Sequence, residues 1–291
     1  MRKIGLYFSL ILGLLNPLLA QRGKHGALSV SALNVIVNEY TSLTSNATAG
    51  TNIINVANSN LNTNSRFASN LQVGDLIMII QVQGISMKTF AVGPGQDSTY
   101  GEILSYQNCG NYEFAQVFAI PNGTSIQLDC NLMNNYSASP AKTQVIRVPR
   151  YSSLTVNAGA SLTGDPWNGT IGGIITTEVN GASVINGSVI ATGIGFRRGV
   201  AVNQGNFGGM RFVDLGAGYA EGGEKGEGIA GSQADYVTFY NGKHSRGAPA
   251  NGGGGGNCHN AGGGGGANAG NPATWRGYGI TNPTYATAYN L

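Results

Sequence analysis

The sequence predicts an all-β protein: a β-sandwich or barrel domain, then a short parallel β-helix, then a glycine-rich region. Three observations predict this. Short apolar runs alternate with Asn, Gly and Pro punctuation along the first half of the 291 residues. From Tyr151 the runs shrink to apolar triplets between glycine corners. Beyond Arg197 glycine dominates, with two five-residue runs at Gly252 to Gly256 and Gly262 to Gly266. Glycine has the most backbone entropy to lose on folding and brings no side chain to bury. Such a segment is either disordered or held by backbone hydrogen bonds between closely packed chains.

Residues 1–20 read as a secretory signal peptide. Arg2 and Lys3 form a basic start, Ile4 to Leu19 an apolar core broken by Asn16-Pro17, and Ala20 a small residue before Gln21. No later stretch is long and apolar enough to span a membrane, so no span is expected once the signal is removed. The expected location is secreted or on the outer cell surface. Charged residues make up only 10% of the chain, and without Arg2 and Lys3 there are 14 basic against 13 acidic side chains. That balance excludes the basic footprint of a nucleic-acid binder.

Residues 21–150 form the expected sandwich or barrel. Its strand-like runs are Leu33 to Val37, Asn52 to Val56, Leu76 to Val82, Tyr112 to Ile120, Ser125 to Leu128 and Thr143 to Val148. Leu76 to Val82 is almost wholly apolar, the pattern of a strand buried on both faces. Pro121-Asn-Gly123 reads as a hairpin turn. Cys109 and Cys130 flank that hairpin, and export to an oxidising compartment favours a disulfide between them over two buried thiols. Cys258 is left over. Ser86 to Thr99 is expected to be an exposed polar loop.

Residues 151–200 carry the triplets Leu154-Thr-Val156, Ala160-Ser-Leu162, Ile174-Ile-Thr176, Ser183-Val-Ile185 and Ser188-Val-Ile190. Short strands of this kind bury an apolar face only when stacked, which is the logic of a parallel β-helix. Antiparallel hairpins continuing the first domain are the alternative. Residues 201–291 form the glycine-rich region, either packed as extended threefold polyglycine helices or acting as a linker.

Several segments together carry a resemblance. They are Val73-Gly-Asp-Leu-Ile-Met-Ile-Ile-Gln-Val-Gln-Gly84, Cys109-Gly-Asn-Tyr-Glu-Phe114, Gln144-Val-Ile-Arg-Val-Pro-Arg-Tyr151, Trp167-Asn-Gly-Thr170, Gly172-Gly-Ile174 and Gly223-Glu-Lys-Gly-Glu-Gly-Ile229. In this order they resemble the amino-terminal region of large exported, adhesin-like surface proteins of gliding bacteria that use type IX secretion. The resemblance implies placement at the cell surface and a role in adhesion. It assigns no catalytic residue.

The site chemistry is sparse. Gly226-Glu-Gly-Ile-Ala-Gly231 matches a dinucleotide-binding fingerprint, but no amphipathic helix is expected after it. Glu221, Glu224, Glu227 and Asp235 are the one acidic cluster, read as a solvated loop, with calcium the cofactor such oxygens would take. Cys258-His259 lacks the partners of a zinc site, so no metal is assigned. Asp165, Glu178 and the Arg197-Arg198 pair are the residues a polysaccharide-cleaving β-helix would use. No catalytic residue is assigned. Carbohydrate stacking falls to Trp167, Trp275 and Tyr151. The expected function is structural and adhesive without turnover, the partner being a polysaccharide, a surface ligand or a second copy of the chain. The alternatives are a polysaccharide-binding or polysaccharide-degrading β-helix protein, and a matrix or fibre component assembling through its glycine-rich region.

Overall fold

The computed structural model describes residues 22–89, 100–200, 223–240, 244, 247–256 and 266. In chain order these residues form β1 (Ala27–Val30), β2 (Val35–Ile36), β3 (Glu39–Ser42), β4 (Ile53–Asn55), β5 (Leu76–Gln83), β6 (Ser86–Met87), β7 (Ile103–Ser105) and β8 (Tyr112–Asn122). There follow β9 (Ser125–Leu128), β10 (Lys142–Val148), β11 (Arg150–Tyr151), β12 (Ser153–Val156), β13 (Ser161–Thr163), β14 (Glu178–Val179), β15 (Ser183–Ile185), β16 (Ser188–Val189) and the helix α1 (Gln233–Phe239). None of the described helical segments is long and apolar enough to cross a membrane. The leader-like residues 1–20 lie outside the described residues.

Residues 39–148 contribute one antiparallel sheet in the order β3-β10-β5-β8-β9-β4. It curls until its edges touch, where Leu43 beyond β3 bridges Val56 beyond β4. Its concave face holds Ile54, Ile77, Ile79, Val117, Ile126, Leu128 and Val145. The apolar run of β5 is explained by a second contact. Met78 on the convex face, with Ile146 and Val148 of β10, packs against Tyr40 and Ile174. Both faces of β5 are thereby covered, as its sequence predicts.

The remaining strands pair in parallel. β12 lies between β1 and β15, β13 lies between β2 and β16, and β11 pairs with β14. The registers Arg150–Glu178, Leu154–Ser183 and Ser161–Ser188 separate stacked positions by 28, 29 and 27 residues. The chain therefore coils, one short strand per side in each turn, around Val30, Val37, Leu154, Val156, Ala160 and Leu162. Parallel stacking from Arg150 onward agrees with the triplet pattern. β1 and β2 are the difference. The sequence groups Leu33 to Val37 with the first domain, yet Leu28 lies beside Leu154 and Val35 beside Leu162. They form a first turn of the coil, and the whole curled sheet is inserted between that turn and the next. The physical reason is that β1 and β2 bury their apolar residues only against strands of the same spacing.

Two further expectations are corrected. Cys109 and Cys130 are free thiols, not a disulfide. Leu128 pairs with Val117, which brings Cys130 level with the middle of β8, while Cys109 precedes the start of that strand. Cys109 instead packs beside Ile85, Met87 and Tyr100, and burial pushes its thiol up to about 12. The polar loop expected from Ser86 opens as a strand, because β6 pairs with β7 and Met87 is buried. Cys258 lies outside the described residues.

In the glycine-rich region, residues 247–256 are buried. The Gly226 N–H donates to the Gly253 carbonyl at 2.7 Å. A Cβ on Gly255 would stand 1.9 Å from the Gly223 oxygen, and one on Gly199 2.2 Å from the Glu224 oxygen. The backbones of these segments touch directly, which only glycine permits.

Candidate functional site

Of the residues singled out for carbohydrate contact, Trp167 and Tyr151 do not present themselves to solvent. Trp167 is 4% exposed and packs edge-on against Phe196, with ring centroids 5.8 Å apart. Tyr151 is buried beside His25 at the joint between sheet and coil. Both fill core positions, which corrects their assignment as stacking platforms. Trp275 lies outside the described residues.

The carboxylates are engaged in ion pairs. Asp165 takes a bidentate pair from Arg66, with contacts of 2.6 and 2.7 Å. Glu178 holds the buried guanidinium of Arg150, and Arg22 Nε stands 3.8 Å from its Oε1. Glu227 is also buried. Desolvation opposes its ionisation, but hydrogen bonds from the Arg197 side chain and backbone hold it below the usual carboxylate range. The indole N–H of Trp167 faces the same carboxylate without closing a full hydrogen bond. Two members of the acidic cluster read as a solvated loop are engaged internally instead. Glu227 pairs with Arg197, and Asp235 accepts from the Ser232 N–H and hydroxyl at the start of α1. That helix follows Gly231 directly, where none was expected. Glu221 lies outside the described residues. Among the described residues no group of three or more His, Cys, Asp or Glu is placed to hold a metal ion.

The densest charge cluster joins the two halves of the molecule. Asp75, fully buried in the turn before β5, accepts from Lys24 Nζ at 2.5 Å, Arg147 Nη2 at 2.7 Å and the Gln72 N–H at 2.9 Å. Lys24 belongs to the first coil turn and Arg147 to the sheet. His25 sits beside them, its Nδ1 accepting the Arg150 N–H at 2.8 Å and its Nε2 4.0 Å from Asp75. Both Asp75 oxygens, both terminal nitrogens of Arg147 and Nδ1 of His25 have internal partners, which reads this cluster as architecture.

The exposed feature lies on β8. Tyr112, Glu113, Phe114, Ala115, Gln116, Val117 and Phe118 alternate between faces. Ala115 and Val117 enter the concave core. Tyr112, Phe114 and Phe118 point the other way and are 57%, 47% and 47% exposed. Tyr112 and Phe114 stand in T-shaped contact, centroids 6.3 Å apart. On this convex face Phe114 lies opposite Met78 of β5, and Gln116 opposite Leu76. The coil, reaching in with Ile174, covers the β10 and β5 part of the face. It leaves the aromatic row of β8 open. The signal was present in the sequence: aromatic residues at even spacings, on a strand whose other face carries Ala115 and Val117.

No protein-family model matches the sequence, and comparison with characterised proteins finds no relative. Comparison with solved structures returns parts of phage tailspikes. The tailspike of Pseudomonas phage phi297 shares 12% identity over 58% of this chain and 23% of that one, TM-score 0.23. The tailspike of Acinetobacter baumannii bacteriophage AP22, solved in complex with A. baumannii capsular saccharide, shares 15% over 56% and 23%, TM-score 0.25. That of Pseudomonas phage LKA1 shares 17% over 49% and 25%, TM-score 0.23. The chain spans about a quarter of the length of these structures. TM-scores of this size fall short of a common fold, and the likeness carries no functional weight.

Proposed function

We propose that this is an exported surface protein that binds polysaccharide through the convex aromatic face of β8, with no turnover. The observation that carries the reading is the row Tyr112, Phe114 and Phe118, open beside the part of the face that Ile174 covers. Aromatic rings offer flat apolar area that exposed strands rarely carry, and the C–H face of a pyranose fits it. The coil serves as a short parallel β-helix, a stem that holds this face rigid. The leader-like first twenty residues and the resemblance to adhesin-like proteins of type IX secretors support placement at the cell surface. The backbone contacts of Gly199, Gly226 and Gly255 favour a polyglycine packing of residues 223–228 against 252–256, a structural rather than catalytic element.

The test is binding of the chain from Gln21 to cellohexaose, chitohexaose and polygalacturonate, with reducing ends assayed in the same wells. Each of Tyr112→Ala, Phe114→Ala and Phe118→Ala should weaken binding by up to about tenfold, the loss of ~0.5–1.5 kcal/mol per aromatic contact. Unchanged affinity in the triple variant would refute the site. Release of reducing ends by the parent chain would refute the absence of turnover.

A further inference from the structure

The aromatic row is interrupted at its centre by one polar side chain. Gln116 lies on the same face of β8, between Phe114 and Phe118, and is half-buried. Its carboxamide oxygen accepts from Arg150 Nη1 at 3.3 Å. Arg150 has no freedom of its own. Its side chain is 2% exposed, and Glu178, its stacked neighbour in the next coil turn, grips it through Nε and Nη2. The amide is thus oriented by a chain of contacts that starts in the coil and ends on the sheet. With its oxygen engaged, Gln116 keeps its NH2 group, and among the described residues no acceptor takes it. Phe114 and Phe118 flank that donor.

A pyranose seated on an aromatic ring presents C–H groups to the ring and carries its oxygens around the rim. Apolar contact fixes the sugar's plane. A few polar groups beside the ring then decide which sugar fits. A carboxamide with its oxygen already engaged offers only donors, so it reads oxygen atoms. Arg150 is buried and paired with Glu178, which Arg22 also approaches to 3.8 Å, so at the centre of the row the group a ligand meets is the neutral amide itself. A neutral chain suits that centre better than a polyuronate.

We propose that Gln116 is the specificity-determining residue of this face, donating from its NH2 group to an oxygen of the sugar unit held on Phe114 and Phe118 of a neutral polysaccharide. The inference rests on the carbohydrate reading of the aromatic row, and its test separates the two. Dissociation constants are measured for cellohexaose, chitohexaose and polygalacturonate with the parent chain, Gln116→Ala, Gln116→Glu and Phe114→Ala. Gln116→Glu keeps an oxygen for Arg150 but replaces the donors with an acceptor. The expected results are a neutral oligomer preferred by the parent, and up to about tenfold weaker binding of that oligomer by Gln116→Ala, the value of one hydrogen bond. The preference over the other neutral oligomer should also collapse, and Gln116→Glu should bind no better than Gln116→Ala. Phe114→Ala should weaken both neutral oligomers alike and keep their ranking. Unfolding temperatures within a degree or two of the parent for both Gln116 variants would show that the fold is intact. If Phe114→Ala weakens binding but Gln116→Ala keeps the parent's affinities and ranking, Gln116 is not the reader, and the row stands without it. If neither substitution moves any affinity, or the parent binds none of the three, the row itself is not a carbohydrate site and the inference falls with it.

Discussion

Replacing Asp75 with Asn should destabilise the protein by about 3 kcal/mol, the lower end of the ~3–5 kcal/mol lost when one partner of a buried ion pair is removed. The substitution keeps the shape of the side chain and removes its charge. Two cations lose their counter-ion: Arg147, whose side chain is 2% exposed, and Lys24, 16% exposed. Lys24 has an escape, since its stem can swing the ammonium into water. Arg147 has none. It keeps hydrogen bonds to the Ser69 and Leu61 carbonyls and lies 3.9 Å over the Phe67 ring. Those contacts moderate the cost and place the expectation at the lower end. The assay is urea unfolding followed by tyrosine and tryptophan fluorescence, for Asp75→Asn, Arg147→Met and the double variant. The double variant should recover most of the loss, because removing both charges leaves nothing buried and unpaired. As a control, Asp165→Asn breaks a pair that is a third exposed on the carboxylate side and should cost about 1 kcal/mol or less. A loss below about 1 kcal/mol for Asp75→Asn, or a double variant no more stable than the single ones, would refute the claim that this cluster fastens coil to sheet.

Three other outcomes are expected. Burial lowers the affinity of His25 for a proton below the ordinary 6.5, although Asp75 nearby acts the other way. Stability should therefore be constant above about pH 6.5, fall as the pH drops toward the depressed folded value, and level off beneath it. The slope in that window is at most ~1.4 kcal/mol per pH unit for one proton. It should vanish in His25→Asn, and a slope unchanged in that variant would assign the titration to another group. Thiol mapping by alkylation and mass spectrometry should label Cys130 in the native protein and Cys109 only after unfolding; recovery of a 109–130 disulfide peptide would contradict the strand register. Gly84→Ala should destabilise by about 1–3 kcal/mol in the same urea assay. The new Cβ would stand 2.4 Å from that of Ala141, at a backbone φ of +115°. A neutral result would show that the end of β5 yields to the added methyl group.

The β content and the parallel coil were legible because both leave local patterns. Leu76 to Val82 announces a strand covered on both sides, and Leu154-Thr-Val156 with Ser183-Val-Ile185 announces rungs. The first turn was not legible. Ala27–Val30 and Val35–Ile36 have ordinary strand composition, and nothing local says that their partners begin at Ser153. The disulfide expectation failed on register, which two bulges in the β8–β9 pair shift. The stacking residues failed on burial. Trp167 and Tyr151 were chosen by residue type, while exposure depends on which face the coil covers. The row on β8 was readable from its even spacing, but only the contact of Ile174 with Met78 shows where the cover stops.

The insertion of the sheet between the first and second turns has a consequence for the order of assembly. As the chain emerges from synthesis, β1 and β2 wait without partners until Thr163 has been made, because their neighbours are β12 and β13. The sheet is complete at Val148, fifteen residues earlier. It can therefore close first, and closing it carries the ends of the waiting segment to the place where β11 starts. Joining Ala27 to Ser153 through a folded sheet costs far less chain entropy than joining them through an open loop. The sheet thus acts as an internal scaffold for the coil. A chain with the sheet cut out and the ends rejoined by a short linker would have to build its first turn without that aid. The deletion should show as slower refolding, even if the final stack is as stable.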